Sequence, residues 1–163
     1  MTVVCLYGTC GPLTFNFLRA GSEGEKQALT EALGAVLDAA PRLACFNGSR
    51  FDLPFLQVQL GFAPARVGAW VCKCFDLFDI AKGVLRTTFS LDKALRLNGL
   101  ESKSASGLQA VAWARDPERW DDLEAYCMQD TRLTFELSQR ARIELPGGDY
   151  CIEQDGARWR VVH

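Results

Sequence analysis

Histidine occurs once in these 163 residues, as the last of them, His163. An interior Ser-His-Asp or Cys-His catalytic group is thereby excluded, and so is a zinc site built on histidine. The chain also lacks the glycine fingerprints that cradle phosphates in Rossmann and P-loop proteins. It has no apolar run approaching the roughly 18 residues of a membrane-spanning helix and no signal-peptide pattern at its start, so no membrane is expected as a partner. Positive charge is not in excess, with 18 basic against 20 acidic residues and a formal charge of −2. The seven cysteines are odd in number and lack the regular spacing of a secreted disulfide framework. They are expected to be reduced thiols in a cytoplasmic or nuclear compartment, and Cys72-Lys-Cys74 is tighter than zinc-knuckle spacing.

What remains is acidic chemistry on a chain the size of one domain, 48% of it hydrophobic. Residues 50–103 hold eight basic side chains against five acids, a local surplus on an otherwise acidic chain. Such a stretch suits either a shallow face for a phosphate backbone or ordinary solvated helix charges.

The chain reads as alternating strands and helices. Residues 2–7 and 13–18 are apolar or alternating around a Gly/Pro turn and predict a hairpin. Ser22 and Glu25 form a capping-box pattern before a helix over 23–39. Residues 42–46 read as a short buried strand, and Asn47-Gly48 turns the chain into a helix from about Asp52. Residues 70–75 predict a strand and 76–82 a short helix. Ser90 and Gly99 bracket another helix, and Asp116-Pro117 launches a long one expected to reach Arg142 before Pro146-Gly-Gly. Asp155-Gly156 marks a closing hairpin. The expected fold class is α/β, divided as a domain over 1–145 and a C-terminal β-hairpin over 146–163.

Two carboxylates stand out. On the long helix Leu123, Tyr126, Asp130, Leu133 and Leu137 step by three and four along one face, so Asp130 interrupts an apolar stripe. A carboxylate there calls for an ion pair, a hydrogen-bonded cap or a cation. Asp52 follows an apolar strand and a tight turn, at the mouth of a strand-to-helix crevice of the kind that binds ligands in α/β sheets. It is equally suited to be the N-cap of the helix it precedes.

Taken together, Asn47-Gly-Ser-Arg-Phe51-Asp52-Leu-Pro-Phe-Leu56 and Tyr126-Cys-Met-Gln-Asp130 resemble the second and third acidic motifs of DnaQ-like 3′–5′ exonucleases of ribonuclease H-like fold, tyrosine subclass. Cys74-Phe-Asp76-Leu77, Ser90-Leu91-Asp-Lys-Ala-Leu and Asn98-Gly-Leu resemble the region between these motifs in domains related to the exonuclease of family B polymerases. The resemblance covers residues 1 to about 140. It implies a mixed sheet flanked by helices and hydrolysis of phosphodiesters at the 3′ end of a single-stranded nucleic acid. It also implies two Mg²⁺ or Mn²⁺ ions held by carboxylates. By position, Asp52 and Asp130 would be metal ligands and Tyr126 would orient the attacking water. Asn47, Arg50, Phe51 and Phe55 would lie along the substrate, the two phenylalanines as stacking surfaces unless they belong to the core. Asp76 would lend outer support or cap a helix.

The family's first motif, Asp-x-Glu on a central first strand, has no counterpart before Asn47. With two of four carboxylates absent, activity is expected to be impaired or conditional, or replaced by binding alone in a pseudo-exonuclease or structural subunit. The missing strand leaves four readings open. The motif lies upstream of Met1, another chain or a second copy completes the sheet, the terminal hairpin fills the gap, or catalysis has been lost.

Overall fold

The computed structural model describes residues 3–102, 107–155 and 158–163. The chain begins with the antiparallel hairpin β1 (Val3–Gly8) and β2 (Gly11–Asn16), followed by α1 (Glu23–Ala39). The Ser22 hydroxyl accepts from Glu25 N while the Glu25 carboxylate accepts from Ser22 N, which completes the predicted capping box. Next come β3 (Leu43–Cys45), α2 (Asp52–Leu60), α3 (Pro64–Cys72) and β4 (Cys74–Asp76), with β3 and β4 paired in parallel. Then α4 (Leu77–Leu85), α5 (Leu91–Leu97) and α6 (Gly107–Ala114) lead through a 3-10 turn capped by Asp116 into the long α7 (Trp120–Ser138). The strands β5 (Arg142–Glu144), β6 (Cys151–Asp155) and β7 (Arg158–Val162) form an antiparallel sheet at the end.

The α/β class expected from the sequence holds, but the strands form three separate hydrogen-bonded sets, β1-β2, β3-β4 and β5-β6-β7. Helix α7 lies against β1, β2 and β3 and so spans the break between the first two sets. Pro12 faces Tyr7 in the hairpin register and has no N–H to donate, so the directly bonded pairs are Val4–Phe15 and Leu6–Leu13. The peptide groups of Val3 and Cys5 therefore point away from β2, along an open edge. That edge is met by α7. Thr131 Oγ1 donates to the Cys5 carbonyl at 3.4 Å, and the Cys127 thiol points at the Val3 carbonyl at 4.0 Å and receives the Cys5 N–H. Side chains of a helix thus take up the edge groups that a neighbouring strand would otherwise bind.

The core has two lobes. Phe15, Phe17, Leu33, Leu56 and Trp70 pack β2, α1, α2 and α3 together. Leu77, Leu95, Leu133, Ile143 and Ile152 join α4, α5, α7 and the terminal sheet. The hairpin at the C-terminus does not fill the gap beside β1. It pairs with β5 instead, buries Ile152 completely and stacks Trp159 on Phe75 of β4 at 4.3 Å.

Two sequence expectations are corrected. Residues 70–72 are helical, because Pro64 opens α3 and Val67 and Trp70 bury one face of it, with the Trp70 indole N–H donating to Asp38 at 2.7 Å. A short apolar run rich in Val, Trp and Cys suits strand and helix alike, and contacts with α1 decide it. The long helix stops at Ser138, well short of Arg142, since Ile143 enters the core as part of β5. The helix α6 was not foreseen.

Because Ile152 carries core packing, Ile152→Ala is expected to lower unfolding free energy by about 2–5 kcal/mol. Urea denaturation followed by circular dichroism checks this, and a loss below about 1 kcal/mol would mean the terminal sheet is merely appended.

Candidate functional site

Asp76 organises the loop from Asn47 to Asp52 that carries the segment resembling the second motif. Its Oδ1 accepts from Asn47 N at 2.8 Å and its Oδ2 from Ser49 N at 3.0 Å and Ser49 Oγ at 2.6 Å. The same carboxylate caps α4 through Phe78 N and Asp79 N. The capping role foreseen for Asp76 is present, and with it a second one that sequence reasoning missed. Burial works to raise the Asp76 carboxyl, but the hydrogen bonds from Ser49, Asn47 and Asp79 outweigh it and hold it below the ordinary carboxylate range. Ser49 Oγ also reaches Asp79 at 2.9 Å, and Arg50 forms an ion pair with Asp79.

This network folds the chain tightly between β3 and α2. Asn47 adopts φ 64°, a left-handed conformation that asparagine tolerates better than most residues. Gly48 is wedged so closely that a Cβ would stand 2.7 Å from Cys45 Cβ and 3.3 Å from Asp52 Oδ2. Asp52 is then the first residue of α2, and no side chain caps that helix. The N-cap explanation for Asp52 is therefore removed. Although much of the residue is open to solvent, its carboxyl sits over Gly48, and desolvation followed by the charge of Asp76 raises it to about 6.

Asp130 lies in the stripe foreseen for it, with Tyr126, Leu133 and Leu137 buried on α7 and its own Oδ1 enclosed. Tyr126 is buried, its ring edge-on to Trp113 of α6 at 6.2 Å. The charges of Asp52 and Asp130 are both felt at Cys127. The Cys127 thiol is lowered by its contact with Cys5, while burial and the charges of Asp130 and Asp52 both act to raise it.

Beside them, Phe51 and Phe55 are 63% and 38% exposed, with rings nearly parallel at 11° and centroids 6.3 Å apart. The core alternative for these two rings is excluded by that exposure. Several of the basic side chains of residues 50–103 are engaged within the fold. Arg50 pairs with Asp79, Arg66 with Asp38 and Arg96 with Asp92, and Lys73 donates to three carbonyls at the end of α1.

A family model described as the RNase_H superfamily matches residues 2–142. The chain belongs to the RNase H superfamily. No curated protein and no solved structure shows a match to it. Nucleases of the superfamily generally use divalent metal ions, and the superfamily fold supports nuclease-type chemistry and nucleic-acid binding in general. The donors of this chain do not fit a two-ion centre. Among the described residues no group of three or more His, Cys, Asp or Glu side chains is placed to hold an ion.

The raised Asp52 carboxyl sets a pH signature. In the unfolded chain it titrates near 3.8 and in the folded one at about 6, so the folded state holds the proton more tightly. Stability is expected to fall as pH rises between these values, then level off. Asp52→Asn removes that slope, which thermal melts from pH 3.5 to 7.5 would detect; an unchanged slope would place the titration elsewhere. Gly48→Ala should cost about 1–3 kcal/mol by overpacking against Cys45, read by the same melts.

Proposed function

We propose that this domain engages the 3′ end of single-stranded nucleic acid in the manner of a DnaQ-like 3′–5′ exonuclease, with hydrolysis impaired in this chain. The observation that carries the reading is the exposed, nearly parallel Phe51–Phe55 pair flanking Asp52, together with the enclosed Asp130 Oδ1 on the apolar stripe of α7. Parallel exposed rings suit the faces of terminal bases, and stacking of this kind tolerates any sequence. Asn47, held by Asp76, and Arg50 border the same loop and would line the strand. Tyr126, one turn before Asp130, would position water. Mg²⁺ or Mn²⁺ would sit at Asp52 and Asp130. Two carboxylates neutralise and fix such ions poorly, so turnover by this chain alone would be slow and conditional on further carboxylates from another strand.

The absence of a third ligating group among the described residues favours a second reading, a pseudo-exonuclease that binds strands without cutting them, or a structural subunit completed by a protein partner or a second copy.

A 5′-labelled single strand incubated with Mn²⁺ should shorten slowly from its 3′ end, and Asp130→Asn should abolish this. Phe51→Ala and Phe55→Ala should each weaken strand binding roughly 5- to 100-fold at low salt. Cleavage that survives Asp130→Asn would refute the assigned site. Binding without cleavage selects the second reading, and no binding at low salt rejects both nucleic-acid readings.

A further inference from the structure

Four of the seven thiols meet in pairs, Cys5 with Cys127 and Cys45 with Cys74, each pair in side-chain hydrogen-bonding contact. All are free. The pairs differ in how their backbones are placed. Cys45 and Cys74 sit two residues out of register on parallel strands, Leu43 facing Cys74 and Cys45 facing Asp76. With strands about 4.8 Å apart and a rise of about 3.3 Å per residue, their Cα atoms are roughly 8 Å apart. That exceeds what a disulfide spans, about 4.4–6.8 Å. Cys5 and Cys127 lie instead on elements packed directly together, β1 and α7, and their side chains point at one another's element. The Cys5 sulfur is 3.9 Å from the Glu124 carbonyl on α7, and the Cys127 sulfur 4.0 Å from the Val3 carbonyl on β1. Thr131, one turn beyond Cys127, reaches the Cys5 carbonyl. Cys5 is buried, whereas Cys127 keeps some solvent access.

We propose that Cys5 and Cys127 form a peroxide-sensitive dithiol, oxidised reversibly to a disulfide that staples the open edge of β1 to α7. Cys127, the accessible partner, attacks one oxygen of hydrogen peroxide as the thiolate. The O–O bond breaks, one water leaves, and Cys127 becomes a sulfenic acid. The Cys5 sulfur then attacks that sulfur, an S–S bond forms and a second water leaves. Two thiols give up two protons and two electrons to one peroxide, yielding one disulfide and two waters. The bond closes nearly the whole chain between residues 5 and 127 and replaces weak thiol contacts along the edge with a covalent one. It holds the helix that carries Tyr126 and Asp130 against the strand, one turn before Asp130. Exposed Cys10 and Cys72 would stop at reversible caps or over-oxidation.

The full chain, reduced and then treated with a few equivalents of hydrogen peroxide, is alkylated, digested without reductant and sequenced by mass spectrometry. The expected product is a Cys5–Cys127 linkage two hydrogens lighter than the reduced pair, with Tm raised by several degrees and both changes reversed by dithiothreitol. Cys127→Ser should show neither change, and Cys5→Ala should leave a sulfenic acid on Cys127 that dimedone traps. Should either variant fail to fold, the linkage map of the unaltered protein decides alone. Linkage of Cys45 to Cys74 in its place, over-oxidised Cys127 with no link to Cys5, or no reaction overturns the proposal.

Discussion

The contact of α7 with the open edge of β1 is the interaction on which the rest of this fold depends. A two-stranded hairpin is marginal by itself, and β3 and β4 are only three residues each. Neither set of strands extends the other, so their relative position is set by the helix lying against both. The edge groups of Val3 and Cys5 are met by Cys127 and Thr131, small side chains that let helix and strand approach closely. From there α7 runs on to bury Leu133 and Leu137 in the second lobe of the core. One helix therefore lies against β1, β2 and β3 and also enters the second lobe.

The other half of the site depends on a carboxylate that is not itself in either motif. Asp76 ends β4, caps α4 and, by accepting three hydrogen bonds from Asn47 and Ser49, fixes the turn that leads into α2. Its ionised state is stabilised by those donors, and its charge then helps to push the neighbouring Asp52 up to about 6. Two carboxylates at the same turn thus take opposite shifts, one satisfied by the Ser49 hydroxyl and backbone N–H groups and the other desolvated beside a negative charge. Asp52 therefore holds its proton more tightly than a free carboxyl does.

Much of this was legible in particular residues. The Ser22/Glu25 box, the Ser90 cap and the placement of Asp130 within an apolar stripe follow from local rules of hydrogen bonding and helical period, and the structure contains all three. Where local rules were ambiguous the sequence misled. The run from Trp70 to Phe75 has the composition of a strand, yet Trp70 finds Asp38 on α1 only if it is helical. The stop at Ser138 is invisible until Ile143 is seen to be needed in the core. The exposure of Phe51 and Phe55 could not be read at all, since aromatic residues near a helix start serve cores and binding surfaces with the same local pattern.

By itself the sequence determined the chemistry on offer: no interior histidine, one pair of acidic motifs and no Asp-x-Glu before them. These are properties of residue type and order, and no folding changes them. Membership of the RNase H superfamily is carried by the same order. Only the tertiary structure decided that Asp52 is not a cap, that Asp76 holds its loop, that the terminal hairpin joins β5, and that Cys127 covers an edge strand. Each of these rests on contacts between residues distant in the chain, such as Cys5 with Cys127 or Asn47 with Asp76. Burial and charge at such a contact are set by packing, which no local pattern specifies.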